Sequence, residues 1–548
     1  ICYSLHIPSF QTLIAETYYA KKNKLLKGET REDRGKYYNK VLLKDNEYRK
    51  EVYECYPELI RVLDVKTKNT IDFLVDIIKS TESELNNIEK SLNDSKSLGK
   101  IIDIFLGEGD THNNGKTVTK LKFDSGKTVV YKPHNLEVEE KYYEFIQWLN
   151  KVSAKDETGC LMAARCYNGG NKGWMEFIEQ KDCKNESEVK SFYYKIGKLL
   201  CILYTTDGID IHNENIIAHG NMPVLVDLET FIHADLYPIS DQDSASTVSI
   251  KKLNNSVIKN ALLPTYIINK ENKKVFDLGG LSGAENQEAA FASKFIKDYG
   301  TDEVKVILEH SIVEAKGNNA SLKGKTMNSK EYLESIVSGF KDTYNWIIEN
   351  KAQYIRALKE LFQKVTVRIL FKPTNSYSHL LSSSYHPNLL TNSIDRFIYL
   401  HKYAEKVDKK YNKLVLSEVE NLLRGDIPYF SVKVNEKKVY GSGSNDAVYL
   451  LEKAAIDSIQ SKIDDMNTID LNRQAAIIRT KLFTKISDTT TKTEFQKCDT
   501  VKKSQGENFI EAAEKIADFL LERSVTGMGK EGKNRTWFGC EENEYHIY

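Results

Sequence analysis

Asp210, Asn215 and Asp227 are the residues of this chain whose types and spacing best fit a chemical task. In Asp210-Ile211-His212-Asn213-Glu214-Asn215 an Asp stands five residues ahead of an Asn, and twelve residues past that Asn comes Asp227-Leu228-Glu229. Transfer of a phosphoryl group from ATP needs this set: a carboxylate beside the attacking hydroxyl, an Asn holding a metal ion, and a second carboxylate on the metal that bridges the phosphates. Ile216-Ile217-Ala218 and Pro223-Val224-Leu225-Val226 read as two short strands around the turn His219-Gly220-Asn221-Met222. Such a hairpin returns Asn215 and Asp227 to one end of a sheet, where both can face one magnesium ion. The competing reading is a polar hairpin loop with a structural His and a helix-capping Asp.

The elements that must position these groups lie upstream. Val118-Thr119-Lys120-Leu121-Lys122-Phe123 and Thr128-Val129-Val130-Tyr131-Lys132 alternate as two strands joined by Asp124-Ser125-Gly126-Lys127. Pro133 ends the second strand, and the apolar-striped run from Leu136 to Leu149 reads as a helix. Strand, strand-end Lys and helix in this order are what the small lobe of a kinase offers, with Lys132 reaching the ATP phosphates. His212 follows Asp210 by two residues, an order nearer to lipid kinases than to protein kinases, in which His precedes the Asp. The usual Gly-rich lid is missing, and Gly107-Glu108-Gly109-Asp110-Thr111-His112-Asn113-Asn114-Gly115 takes its place as a turn over phosphate. Within it Asp110 and His112 are either turn formers or a titratable pair beside the nucleotide.

A second constellation stands far downstream at Arg368-Ile369-Leu370-Phe371-Lys372-Pro373-Thr374, followed by Tyr377-Ser378 and Ser384-Tyr385-His386-Pro387. A guanidinium grips phosphate with two parallel hydrogen bonds, and a Thr adds a hydroxyl contact. Read alone, the segment is a buried strand with a flanking cation.

Composition bounds the class. At 548 residues the chain exceeds one ordinary core, so about two to four packed units are expected. Its 78 basic and 78 acidic residues cancel, so no global field recruits nucleic acid or an anionic membrane. Eight cysteines without a CxxC pair read as reduced thiols of a cytoplasmic protein, with no zinc site. No apolar run nears the roughly 18 residues of a membrane span. The opening Ile1-Cys2-Tyr3-Ser4-Leu5 lacks a basic signal region, and the missing Met is expected of a fragment or trimmed chain. Residues 10 to 95 read as helical scaffold, with Ile71, Leu74, Val75 and Ile78 as a core-facing stripe. Asp241 to Ser249 and Ser487 to Ser504 read as surface loops, and no internal repeat is evident.

Gly109-Asp110-Thr111-His112, Tyr131-Lys132-Pro133, the Asp210 to Asn215 run, Asp227-Leu228-Glu229 and the Arg368 to Thr374 segment, in that order, resemble the dehydratase domain of class II lanthipeptide synthetases, the LanM type. Gly425-Asp426-Ile427-Pro428-Tyr429-Phe430 and Trp537-Phe538-Gly539 also look like family landmarks, although each alone is an ordinary turn with aromatic packing. Residues 1 to 108 offer no comparable motif. The resemblance implies a lipid-kinase-like core that uses ATP and magnesium to phosphorylate Ser and Thr of a precursor peptide with a leader and a Ser/Thr-rich core. The phosphate is then eliminated to leave dehydroalanine or dehydrobutyrine. It implies Lys132 and Glu229 at the nucleotide, Asn215 and Asp227 on magnesium, and Asp210 as base at the substrate hydroxyl. It further implies Arg368 and Thr374 in elimination, with Asp110, His112 and His212 in supporting catalytic roles. A His and an Arg near one another suit that step, which needs a base for the α proton and a cation for the leaving phosphate.

Two departures stand out. Lys372 occupies the place of the Arg in the family's Arg-Pro-Thr run, which keeps the charge and loses the fork. Members of the family also continue into a cyclase domain with Cys and His zinc ligands. Here only Cys498 and Cys540 follow the Arg368 segment, so ring formation is expected from a cyclase domain or protein outside this chain.

The fold class expected is α+β, a lipid-kinase-like core with large helical additions. Its divisions are a helical region 1–97, a kinase-like core 98–234 with the nucleotide and metal site, a helix-rich region 235–425 with the elimination motif, and a C-terminal helical region 426–548. Two other functions compete: a peptide or small-molecule kinase that never eliminates, and a non-catalytic peptide-binding relative. Arg368 with Thr374 argues against the first, and intact Lys132, Asp210, Asn215 and Asp227 argue against the second.

Overall fold

Local capping chemistry sets the start of the chain. Thr30 and Asp33 form a reciprocal capping box, Asp45 accepts from the backbone N–H of Tyr48, and Pro57 stands in a first helical turn. These signals open three of four successive helices: α1 (Cys2–Lys22), α2 (Arg31–Lys40), α3 (Asn46–Cys55) and α4 (Pro57–Leu92). The computed structural model describes all residues except 1, 108, 154–158, 270–274, 283–285, 290, 315–316, 405–410, 445, 484–508, 530–531, 542–543 and 548. The expected loop Ser487 to Ser504 therefore lies outside the described residues.

The stripe expected to face the core of α4 does not. Ile71, Val75 and Ile78 are 45%, 44% and 47% exposed, whereas Phe73 and Ile77 are buried. The segment Ile71 to Ile78 carries two interleaved apolar stripes, and periodicity alone cannot choose between them. The partner decides: Phe73 packs 6.0 Å from the ring of Tyr131, and Asp76 on the same side receives the Lys172 ammonium and the Tyr131 hydroxyl.

That partner is a five-stranded antiparallel sheet in the order β1-β2-β3-β5-β4. Its strands are β1 (Ile101–Leu106), β2 (Thr119–Phe123), β3 (Thr128–Lys132), β4 (Cys166–Asn168) and β5 (Gly173–Glu176). The expected hairpin is β2 and β3, paired from Thr119 opposite Tyr131 to Lys122 opposite Thr128. Leu121, Phe123, Val129 and Tyr131 bury one face against Phe73, Ile77 and Trp174. Helix α5 (Glu137–Ser153) follows Pro133, where the sequence predicts a helix.

Helix α6 (Glu186–Thr205) has 14 of its 20 residues buried, so it runs through the core rather than along a surface. It crosses the helix Leu333–Glu349 at glycines: a Cβ on Gly197 would strike the carbonyl of Ile336, and one on Gly339 the carbonyl of Tyr194. The chain emerging from α6 enters the second expected hairpin, β6 (Ile216–His219) and β7 (Met222–Leu225), paired from Ile216 opposite Leu225 to His219 opposite Met222. Gly220 takes the left-handed conformation the turn requires, at φ +62°.

Beyond residue 235 the divisions differ from those expected. Asp241 to Ser249 is only partly loop, because Ser244 caps a helix Ala245–Asn254 through the backbone N–H of Thr247. Among the described residues the stretch 266–326 holds eight short strands in four two-stranded ladders, so the region 235–425 is helical mainly from Leu333 onward. The boundary at 425/426 also cuts a sheet. Thr366–Ile369 pairs with Phe430–Lys433, which continues to Lys438–Gly441 and Ala447–Leu450. The C-terminal region likewise mixes helices with two hairpins, in one of which Trp537 follows the strand Gly532–Thr536 and donates to the carbonyl of Leu520. The molecule is thus a mixed α/β protein. Among the described residues Cys55, Cys166, Cys183 and Cys201 are free thiols, and no described helix is long and apolar enough to cross a membrane.

Candidate active site

The C-terminal end of α6 delivers Asp210. Buried Asp207 anchors the exit, tied to Lys259 at 3.2 Å and to Lys462. Asp210 itself sits at φ +64°, a left-handed conformation uncommon for a residue with a Cβ. The Asn215 amide donates to its carbonyl at 2.8 Å, and the backbone N–H groups of Asn215 and Val226 bond to His212 and Asn215 in turn. This register sets Asn215 opposite Val226, beside Asp227, as the hairpin requires. His212 accepts from the N–H of Glu214 at 3.3 Å and bridges to Gly279.

Lys132, at the end of β3, comes to the same place from the other side. Its Nζ lies 3.1 Å from Glu139 Oε1, 2.9 Å from the carbonyl of Val226 and 3.8 Å from Asp227 Oδ1. Burial pushes the ammonium toward neutrality, but Asp227 and Glu139 outweigh it and hold Lys132 charged. Burial likewise opposes ionisation of Asp227, and Lys132, His134 and Arg368 prevail and keep it below the usual carboxylate range. Asp210 goes the other way: burial lifts it to about 6, with the charge of Asp227 adding to the rise. Asp210 is therefore suited to accept a proton near neutrality, and Asp227 to stay ionised. Both Asn215 and Asp227 offer hard oxygen donors, which fits a magnesium ion held by few protein ligands plus phosphate. An apolar cluster of Ala164, Met175, Ile178 and Val224, with partly exposed Val130, Cys166, Ile217, Met222 and Val226, joins this hairpin to the sheet.

Arg368 forms the other half. Its strand docks beside the exit of the β6–β7 hairpin, the Arg368 N–H donating to the carbonyl of Glu229 at 2.9 Å. Arg368 is 8% exposed, with Nη1 3.7 Å from Glu229 Oε2 and the guanidinium 5.1 Å above the ring of Tyr429. Nε and Nη2 are buried and have no hydrogen-bond partner among the described residues. These two nitrogens form one edge of the guanidinium, the edge that grips an oxyanion with two parallel bonds. Thr374 opens the helix Thr374–Ser383, whose N-terminus favours negative charge. Asp110 faces both: burial raises its carboxyl, opposed by Arg368 and by the Thr374 hydroxyl.

The Gly-rich loop is pinned rather than free. Asp426 accepts the N–H groups of Asn114 and Gly115 at 2.7 and 2.8 Å, and the N–H of Ile427 bonds to the carbonyl of Thr111 at 2.9 Å. His112 Nδ1 lies 2.8 Å from the Ile427 carbonyl, which assigns the proton to Nδ1 and leaves Nε2 as an acceptor. Burial and then Arg368 push this imidazole down to about 4, so it is neutral at ordinary pH.

Four residues that sequence reasoning did not place at the site complete it. His134 lies between the halves, Nδ1 3.3 Å from Glu229 and Nε2 3.9 Å from Glu139; burial lowers its pKa, and Glu229 and Glu139 raise it above the ordinary value. A continuous line of charge, Asp227, Lys132, Glu139, His134, Glu229 and Arg368, thus joins the two centres. Glu229, expected at the nucleotide, stands on this line against Arg368. Signals existed: His134 follows Lys132-Pro133, Glu139 is in the first turn of the next helix, and Asp426 and Tyr429 belong to the run noted as a landmark. Lys372 turns away, with Nζ 2.7 Å from both carboxylate oxygens of Glu418, so its difference from Arg leaves the Nε–Nη2 edge of Arg368 unaffected.

A family model described as a domain of unknown function, DUF4135, matches residues 56–433, which include every site residue named above. The lacticin 481/lactococcin biosynthesis protein LcnDR2 of Lactococcus lactis subsp. lactis is 23% identical over 537 residues, covering 96% of this chain and 56% of the relative. The chain therefore spans about half the length of that curated relative. Both findings bear out the resemblance to class II lanthipeptide synthetases read from the motifs.

Proposed function

The chain belongs to the DUF4135 family, and on that premise we propose that it is a dehydratase of lanthipeptide biosynthesis, acting on Ser and Thr of a precursor peptide with ATP. The observation that carries this reading is the buried, unpaired Nε and Nη2 edge of Arg368, held beside Asp110 and Thr374 and joined by charge to the Lys132 and Asp227 centre. A kinase needs only the second centre.

In the first step Asp210 takes the proton of the substrate hydroxyl as its oxygen attacks the γ-phosphorus, and the bond from that phosphorus to the bridging oxygen breaks with its pair leaving on ADP. Lys132, fixed by Glu139, would hold the nucleotide phosphates, and the apolar cluster around Val130, Cys166 and Met222 would offer its base an apolar surface. Asn215 and Asp227 would hold magnesium, which when bound neutralises charge on the phosphates. The arrangement of β3, α5 and the β6–β7 hairpin supports a lipid-kinase-like core as part of this reading.

In the second step the phosphorylated side chain presents its phosphate to Arg368 and Thr374. His112 Nε2 takes the α proton, the electrons of that C–H bond form the Cα–Cβ double bond, and the Cβ–O bond breaks with its pair leaving on phosphate. Arg368 receives the departing charge. The proposed partners are the precursor peptide and a cyclase domain or protein that consumes the dehydrated product, and the proposed setting is the cytoplasm.

The test is to incubate the chain with a lanthipeptide precursor, ATP and magnesium and to read peptide mass. Loss of water per modified residue is expected. Stable addition of phosphate alone would establish a kinase without elimination, and an unchanged mass would overturn the proposal.

A further inference from the structure

Asp110 with His112, Arg368, and the turn after residue 424 reach the site from three remote segments, and the turn touches both of the others. Gly425 ends the helix Asn412–Arg424 at φ +89°, where a Cβ would meet the Lys66 ammonium at 2.9 Å. Asp426 is 1% exposed and spends both carboxylate oxygens on the N–H groups of Asn114 and Gly115. Those amides belong to a run, Asn113, Asn114 and Gly115, at φ +49°, +69° and +75°. Successive left-handed residues with side chains do not persist unless surrounding bonds fix them. Ile427 adds two bonds, to Thr111 and to His112, and Tyr429 sets its ring 5.5 Å from His112 at 67° and 5.1 Å from the Arg368 guanidinium.

We infer that the turn Gly425–Tyr429 is a clamp that assembles the phosphate-elimination half of the site, with Asp426 and Tyr429 as positioning residues. Asp426 fixes the loop that carries Asp110 and His112. Tyr429, between His112 and Arg368, sets the distance from the base to the cation. The groups proposed for phosphoryl transfer hang on other supports: Lys132 on β3 and Glu139, Asp210 on the segment that leaves α6, and Asn215 with Asp227 at the ends of the β6–β7 hairpin. Loosening the clamp therefore slows elimination while phosphorylation continues, an outcome that rests on the dehydratase reading above.

The experiment compares Asp426→Ala, Asp426→Asn, Tyr429→Leu and Tyr429→Phe in the full chain with precursor, ATP and magnesium. It follows phosphopeptide and dehydrated peptide by mass over time and backbone amide exchange across residues 109–115. Asp426→Ala and Tyr429→Leu are expected to slow elimination about 100-fold, the cost of displacing reacting groups by about 1 Å, so phosphopeptide accumulates. Asp426→Asn, which keeps one accepting oxygen, falls between, and Tyr429→Phe, which keeps the ring but loses the hydroxyl's bond to Glu229, slows elimination less than Tyr429→Leu. Exchange at Asn114 and Gly115 rises in Asp426→Ala. Equal slowing of both steps, dehydration without accumulated phosphopeptide, or unchanged exchange overturns the clamp. A wild-type chain that modifies no peptide overturns the dehydratase reading, and amide exchange still decides the clamp.

Discussion

Asn215 and Asp227 lie twelve residues apart and meet through a four-rung hairpin, whereas Asp110, Arg368 and Tyr429 come from positions far apart in the chain: Arg368 and Tyr429 meet through the long-range pairing of Thr366–Ile369 with Phe430–Lys433, and the Asp110 loop joins them through its bonds to Asp426 and Ile427. The first centre is fixed by local pairing, whose loop-closure cost is small; the second must bring distant segments together before any of its contacts form. The first is therefore robust to changes elsewhere. The second is open to disruption from residues that never touch substrate, and the two chemistries proposed here are separable by mutation for that reason.

The largest expected effect is at the local centre. Asp227→Asn replaces an ionised carboxylate, held in that state by Lys132 and neighbouring cations, with a neutral amide that binds magnesium poorly. Phosphorylation should fall about 1,000-fold or more, and dehydration with it because elimination has nothing to act on. A phosphopeptide prepared separately should still lose phosphate. If Asp227→Asn modifies peptide at near wild-type rate, the metal assignment is wrong.

Next comes the distant centre. Arg368→Met removes the unpaired edge and should slow elimination about 100-fold, with Thr374→Ala, which loses one hydroxyl at a helix N-terminus, costing about tenfold. In both variants peptide mass should show accumulated phosphate. Simultaneous loss of both steps in a folded Arg368→Met protein would contradict the separation of the two centres.

The same contrast explains what could be read from sequence. Both hairpins, 119–132 and 216–225, were legible because alternation and a turn residue encode them within a few residues. The sheet joining Thr366–Ile369 to Phe430–Lys433 was not, since nothing local announces a partner about sixty residues away, and the division at 425/426 cut through it. Strands of two to five residues between 266 and 326 are too short to show a period. Residue type offered Asp110 with His112 as a titratable pair and Arg368 with Thr374 as a phosphate grip, each beside a plain structural alternative; only the resemblance tied them to one step, and geometry then gave them neighbours. His134, Glu139, Asp426 and Tyr429 escaped because a buried ion pair, a loop staple and a stacked ring have no spacing rule. The α4 stripe shows the converse failure: a clear period with two possible faces, decided by Tyr131 and Lys172 on other elements.

A pH series sharpens the comparison further. Asp210, lifted to about 6 by burial, acts as a base only when ionised, so phosphorylation should fall as pH drops through that value, about tenfold per unit below it. His112, held at about 4, keeps its Nε2 lone pair across the same window. Elimination from separately prepared phosphopeptide should therefore hold its rate between pH of about 6 and about 4 while phosphorylation declines. Profiles that fall together near pH 6 would mean that one base serves both steps.

The smallest effect is expected at Lys372, the position in the proposed elimination motif where this chain departs from the Arg-Pro-Thr run of the family it resembles. Its ammonium contacts both oxygens of Glu418, whose side chain is 2% exposed and also receives the Tyr377 hydroxyl, so its task is to neutralise a buried carboxylate rather than to grip phosphate. Lys372→Met should cost about 1–2 kcal/mol of stability, less than for a fully buried pair because Lys372 is partly exposed, and change the elimination rate by less than about threefold, within the range of an indirect effect. Lys372→Arg should restore stability without raising the rate. Thermal unfolding and the phosphopeptide time course measure the two separately. Accumulation of phosphopeptide in a Lys372→Met protein of unchanged stability would place this cation in the reaction and undo the distinction between a residue that builds the distant centre and one that works in it.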